Sequence, residues 1–357
     1  MILKILKDKR NFLMVVMLIS ILFIQYNLKS SIAPKSKYYN EMYIASRKME
    51  KLLVEIKKEK LKRGFEIDSN IDKNSTGLIG LEWSEISTTL GDEVAKRTST
   101  NTDFAALITK KIKELNLRQG DRVAVNMSSS FPALNLAVIS ALDTLGLEGV
   151  IVNTVGSSSY GANIKDFTYL DMEKHLYNRG LIDNTSIAYS FGGIDDVAKE
   201  FEQEVIEEIK NRNRKYNLIL FYNSNLEENI EQRYKFYQER GAIKLFINVG
   251  GNSLAFGKSY KDIENSDLIL PKKLQIRDGL VGKFYNSSVP VIHLLNIKGI
   301  ALKNKIPIDS VEKSEIGTGA VFFEDINSMK YNLIIIILVL IFFVYNAKIM
   351  KKFEVKS

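Results

Sequence analysis

A chain of 357 residues with 50 Lys and Arg against 42 Asp and Glu carries a formal charge of +8. The excess does not read as a nucleic-acid surface, because the basic residues gather beside apolar runs and in one segment, 47–63. With no cysteine, two histidines and no H-x-x-x-H spacing, a disulfide framework is excluded and neither a metal nor another cofactor is expected.

The first element is an apolar run, Phe12 to Ile24, preceded by a basic tail, 1–10, with Lys4, Lys7, Lys9 and Arg10. Counted with its flanks, 11–28, it is at the short end of the roughly 17–25 residues that cross a hydrocarbon core. Ser31-Ile32-Ala33 resembles a processing site, but Pro34 argues against cleavage there, so an uncleaved anchor is expected.

Next comes a predicted amphipathic stalk helix over 34–64, in which Met42, Ala45, Met49, Leu52, Leu53 and Ile56 recur at steps of three and four. Its Lys48, Lys51, Lys57, Lys58, Lys60 and Lys62 leave two readings: a solvated face, or a surface for anionic membrane lipid or a passing polyanion.

From 65 to 328 short β-rich runs alternate with helical patterns, as in an α/β domain with a mainly parallel, doubly wound sheet. Strands are predicted at 122–127, 149–155, 186–190, 217–222, 243–249 and 289–294. Phe104, Leu107, Ile108, Ile112 and Leu115 share one helical face, and Leu134, Val138, Ala141, Leu142 and Leu145 another. Val197, Phe201, Val205 and Ile209 make a third. Asp103 suits an N-cap, and Pro132 a first helical turn.

A second apolar run, Leu333 to Tyr345, holds no charge and predicts a transmembrane helix over 331–347. Beyond it a basic tail, 348–357, carries Lys348, Lys351, Lys352 and Lys356. The basic flanks put both termini in the cytoplasm and the central domain outside the cell membrane, although Lys29, Lys35 and Lys37 weaken the bias.

The chemical signal lies in the loops after the strands: Ser128, Ser129 and Ser130; Gly156 through Ser157, Ser158 and Ser159 to Asn163; Gly192 and Gly193; Asn223 to Asn225; and Gly250, Gly251 and Asn252. At the carboxyl ends of parallel strands such loops offer amide and hydroxyl donors to a carboxylate, phosphate or sugar. Taken singly, each loop reads as caps and turns; it is the set together that suggests a site. No catalytic signature accompanies them, and there is neither a G-x-S-x-G elbow nor a glycine-rich phosphate motif. His293 sits in an apolar strand pattern as a core residue would, and His175 reads as a solvated helix residue. A further segment, 77–104, joins the single tryptophan to a dense hydroxyl run, in which Thr88, Thr89, Lys96 and Arg97 suit an anionic ligand.

Several blocks carry a family likeness: Glu82-Trp83-Ser84 through Thr88-Thr89-Leu90-Gly91, Ala95-Lys96-Arg97-Thr98-Ser99-Thr100-Asn101 and Asp103-Phe104-Ala105-Ala106-Leu107. Ser129-Ser130-Phe131-Pro132-Ala133-Leu134-Asn135, the stretch from Val155 to Asn163, and the stretch from Asp166 to Glu173 continue it. Together they resemble the poly-gamma-glutamate system protein family. The resemblance implies an accessory membrane protein of poly-gamma-glutamate synthesis or export, with synthase and export subunits and the polyanionic polymer as partners. It supplies no catalytic residues, and 211–265 and both ends carry little of it. Three roles stay open: a polymer-binding crevice lined by Ser128 to Ser130, Ser157 to Ser159 and Gly250 to Asn252, a serine amidohydrolase or transferase using Ser129, and a non-catalytic scaffold.

Overall fold

The computed structural model describes residues 33–257, 268–270, 276, 278–311, 315–324 and 337. The chain divides into two units, one formed by its two ends and the other by Tyr38–Phe322. In the first, Lys35 and Phe323 form an antiparallel bridge, and Glu324 donates its N–H to the Pro34 carbonyl at 2.9 Å.

Among the described residues no helix is long and apolar enough to cross a membrane. The longest helix among them, α1 (Tyr39–Lys62), is apolar on one stripe only. The expectation of flanking transmembrane helices is corrected accordingly. The run at 11–28, and all of 331–347 except residue 337, lie outside the described residues, and the cell-membrane location and outward placement deduced from them are withdrawn.

The second unit is α/β. In chain order its strands are β1 (Ser87–Thr89), β2 (Arg122–Ser128), β3 (Glu148–Thr154), β4 (Ser157–Ser158), β5 (Asn163–Ile164), β6 (Phe167–Thr168), β7 (Ser186–Ser190), β8 (Ile219–Leu220), β9 (Ile243–Val249) and β10 (Val291–Leu294). After α1 its helices are α2 (Glu93–Ser99), α3 (Asp103–Glu114), α4 (Pro132–Leu145), α5 (Tyr169–Asn178), α6 (Gln203–Lys215), α7 (Leu226–Gln238), α8 (Ser253–Phe256), α9 (Gly279–Asn286) and α10 (Ile297–Lys303).

Six strands make one parallel sheet in the order β10-β9-β2-β3-β7-β8. Each predicted strand segment supplies one of them. The chain starts at β2, winds through β3 and β7 to β8, then returns to the other side of β2 for β9 and β10. The winding direction therefore reverses between β2 and β9, and in open α/β sheets the ligand crevice lies at such a reversal.

Helices cover both faces, which is why the strands read as continuous apolar runs. Ala124, Val150, Val152 and Phe246 pack beneath Ile230, Phe236 and Tyr237 of α7 and Leu280, Val281 and Phe284 of α9. On the opposite face Tyr189 joins Leu170 of α5 and Val205, Ile206 and Ile209 of α6. The predicted stalk helix, α1, lies against α3 and α4, with Met42, Ala45, Met49, Leu52, Leu53 and Ile56 all buried. Asp103, expected as an N-cap, is the first residue of α3, with Thr102 in the cap position; Pro132 opens α4 as expected.

Candidate binding crevice at the sheet reversal

At the carboxyl ends of β2, β3 and β9 a crevice of about 130 Å³ opens. Ser128 and Ser130 come from the end of β2, Thr154 and Gly156 from that of β3, and Gly251, Asn252 and Ser253 from that of β9. Thr88 and Thr89 close one side, and Gly193, Ile194 and Glu200 another.

The two central loops meet because Gly250 has φ +82° and no side chain: a Cβ there would lie 2.9 Å from the Ser128 Cβ. Left-handed backbone and close approach together demand glycine. Asn252 then turns its side chain across the reversal. Its Nδ2 donates to Thr154 Oγ1 at 2.9 Å, while its Oδ1 accepts the Ala255 N–H at 2.9 Å.

Beneath the crevice the sheet face turns from apolar to polar. His293, Asn248 and Asn126 are register partners across β10, β9 and β2. Asn126 Nδ2 donates to Asn248 Oδ1 at 2.7 Å, and the Asn248 amide meets His293 Nδ1 at 3.2 Å. Burial holds the His293 imidazole down to about 4, so it is neutral there. From α7 the fully buried Arg233 bonds Asp196 Oδ2 at 3.0 Å, and Ser190 Oγ donates to Asp196 Oδ1 at 2.7 Å. Burial pushes the Asp196 carboxyl up, and the Arg233 charge and these hydrogen bonds oppose it.

Asp195, Asp196 and Ala198 all have positive φ, as does Tyr160 in the loop after β4. Three L-residues with positive φ within four positions, beside a crevice, are backbone strain of the kind that collects at functional sites.

Of the residues singled out in the sequence, Thr88, Thr89, Ser128, Ser130, Gly251 and Asn252 line the crevice, and Gly250 sits behind Ser128. The others serve inside its walls. Ser129 is buried, with Oγ donating to Asn153 Oδ1 at 3.3 Å. Ser157 Oγ donates to the Ser129 carbonyl at 3.2 Å, and Ser159 is buried. Asn163 ties the 77–92 segment down, accepting from Leu81 N–H and donating to the Leu81 carbonyl, both at 2.8 Å.

Lys96 and Arg97 do not face the crevice as free cations. Lys96 is 2 % exposed and donates to the Ser130 carbonyl and to Ser158 Oγ at 2.6 Å. Arg97 forks onto Asp309, with Nη2 to Oδ2 at 2.7 Å, and also pairs with Glu93. Asn225 is a helix cap, accepting the Glu227 N–H at 3.0 Å. His175 is half-buried, its Nε2 2.9 Å from Glu55 Oε1.

Reasoning from sequence missed Thr154, Glu200, Asn126, Asn248 and the Asp196–Arg233 pair. Only the asparagines had a visible signal: each is a lone amide that follows three apolar residues, Val123 to Val125 in β2 and Leu245 to Ile247 in β9. The chain matches no family model, no curated protein and no solved structure.

Proposed function

We propose that the crevice holds single units of a gamma-glutamyl chain, and that the protein serves poly-gamma-glutamate synthesis or export as an accessory component beside the synthase and export subunits. The observation that carries this reading is the lining itself. Thr88, Thr89, Ser128 and Ser130 bring hydroxyls, Asn252 an amide and Glu200 one carboxylate to a volume of about 130 Å³. A gamma-glutamyl unit offers a carboxylate and an amide carbonyl to those hydroxyls, and an amide N–H to the carboxylate.

The segments that resemble the poly-gamma-glutamate family also converge in space. Ser87 and Thr89 pair with Ser157 and Ser158, the Ser84 hydroxyl donates to the Asn163 carbonyl, and Lys96 bonds Ser130 and Ser158. This convergence supports one shared site.

Among the described residues no lysine or arginine lines the crevice, so capture rests on hydrogen bonds and its salt dependence is weak. Titration calorimetry of the full chain with short gamma-linked glutamate oligomers tests the reading, with alpha-linked oligomers of equal charge alongside. Saturable binding that prefers the gamma linkage is expected. Thr88→Val, which deletes one hydroxyl at constant shape, weakens it by roughly 2- to 10-fold, the range for one lost hydrogen bond. Equal binding of both linkages, or none at low salt, overturns the assignment.

A further inference from the structure

We propose that Ser158 and Lys96 form a nucleophile and base pair at the wall of this crevice, giving it amide hydrolysis or acyl transfer; the substrate class rests on the gamma-glutamyl reading above.

The geometry starts with a buried amine that has no counter-ion in contact among the described residues. Lys96 Nζ lies 2.6 Å from Ser158 Oγ and bonds the Ser130 carbonyl, with the Phe131 ring centroid at 4.1 Å. The carboxylate whose charge acts on it, Asp92, is committed elsewhere: Oδ1 accepts the Ala95 N–H at 3.0 Å, and Oδ2 pairs with Lys298 from α10. Glu93 and Arg97, on the same helix as Lys96, pair with each other, and Arg97 also with Asp309. Burial brings the Lys96 amine down to about 7, against the pull of Asp92. A neutral amine has one lone pair, and the Ser158 hydroxyl is at hydrogen-bond distance to give it a proton.

Ser158 belongs to the wall of the crevice. Its neighbour in register is Thr89, and its N–H donates to Ser130 Oγ at 2.9 Å. Both of those residues line the cavity. Gly91 adds a second point: a Cβ there would stand 3.2 Å from Ser158 Oγ and 3.1 Å from Lys96 Cε. Gly91 therefore packs directly on the pair, and any side chain there would collide with it and with the Ser159 carbonyl, 2.5 Å from that Cβ.

The reaction balances with water alone. Ser158 Oγ adds to the amide carbonyl carbon while Nζ takes the hydroxyl proton. The resulting ammonium gives that proton to the leaving amine as the C–N bond breaks, leaving an acyl ester on Ser158. Water adds to the ester carbon, Nζ takes its proton and returns it to Oγ, and the products are a carboxylic acid and an amine. An amine in place of water makes the same sequence a transfer.

A serine-reactive fluorophosphonate tests the pair without any polymer. The full chain is labelled between about pH 5.5 and 9.5, and the modified peptide is located by mass spectrometry. Labelling at Ser158 is expected, rising with an apparent pKa near the value of about 7 set by Lys96. It is expected to fall at least about 100-fold in Lys96→Met, general-base catalysis contributing that much or more. Thermal melts confirm folding of each variant, and the wild-type pH profile stands independently if Lys96→Met does not fold. No labelling of Ser158 overturns the pair, and labelling that is flat with pH removes Lys96 as base. Persistent polymer binding without labelling sinks the chemistry alone; labelling without polymer binding sinks the substrate class alone.

Discussion

Glu173 is buried on α5 with both carboxylate oxygens on one residue, Ser186: Oε2 accepts its N–H at 2.8 Å and Oε1 its hydroxyl at 3.0 Å. Burial raises the carboxyl to about 7 despite these bonds. A raised folded pKa means that the native state holds its proton more tightly than the unfolded chain. The contribution is therefore full below about 4.5 and is lost as pH rises through about 7. Glu173→Gln keeps one acceptor and never ionises. It is expected to match the wild type near pH 4 and to exceed it by up to roughly 3 kcal/mol near pH 8, at 1.36 kcal/mol per unit. Urea unfolding at the two pH values checks this, and equal stability at both would mean that Glu173 ionises freely in the fold. The same burial defeats sequence reasoning at single residues. Lys96 and Arg97, beside a hydroxyl run, read as charges for an anionic ligand. Lys96 is instead enclosed by the Ser130 and Ser158 loops, which lie 34 and 62 residues away in the chain. Arg97 is held by Asp309, at a separation of 212 residues. No local pattern encodes partners so distant.

At the scale of elements the signal was strong, because periodicity is local. In α1 the stripe from Met42 to Ile56 marked the face that packs on α3 and α4. Leu52 on that stripe is 1 % exposed, whereas Ile44 on the opposite face is 55 % exposed. Leu52→Ala is expected to cost about 2–5 kcal/mol, the span for a buried leucine, and Ile44→Ala to stay within roughly 0.5 kcal/mol. Chemical denaturation of the two variants decides it; similar small effects would mean that α1 is peripheral to the cooperative unit. The strand positions were legible for the same reason, and so were the loops after β2 and β9 that line the crevice. The order of the strands was not, since it depends on which apolar edges meet. Without that order, the loops after β2, β3, β7 and β9 could not be singled out from the one after β8. The family resemblance named blocks from 82 to 173, but it gave no reason for them to touch; the pairing of β1 with β4 supplies one.

Across the whole molecule the buried amines and phenols set an unusual dependence of stability on pH. Burial lowers Lys96 to about 7 and lowers Lys60, whose Nζ donates to the Ile79 carbonyl at 3.0 Å. A lysine with a depressed folded pKa binds fewer protons than the unfolded chain between about 7 and 10.5, so its contribution grows as pH rises through that window. Glu173 has finished its loss by about pH 8. The phenols act later: burial raises Tyr237 and Tyr169, and pushes Tyr216 up to about 12 with the Asp171 charge beside it. Their raised values withdraw stability only as pH climbs beyond about 10. The melting temperature is therefore expected to rise between about pH 8 and 9.5 and to fall above 10, where most proteins have passed their optimum by pH 8. Lys96 alone supplies roughly 2 kcal/mol of that rise, at 1.36 kcal/mol for each unit inside its window. Thermal melts followed by circular dichroism test it, with Lys96→Met expected to flatten the climb. A wild-type melting temperature that falls from pH 8 onward would mean that the Phe131 ring, 4.1 Å from Nζ, keeps the amine protonated. Ser158 would then have no base, so a melting curve measured without substrate also bears on the chemistry proposed for the crevice.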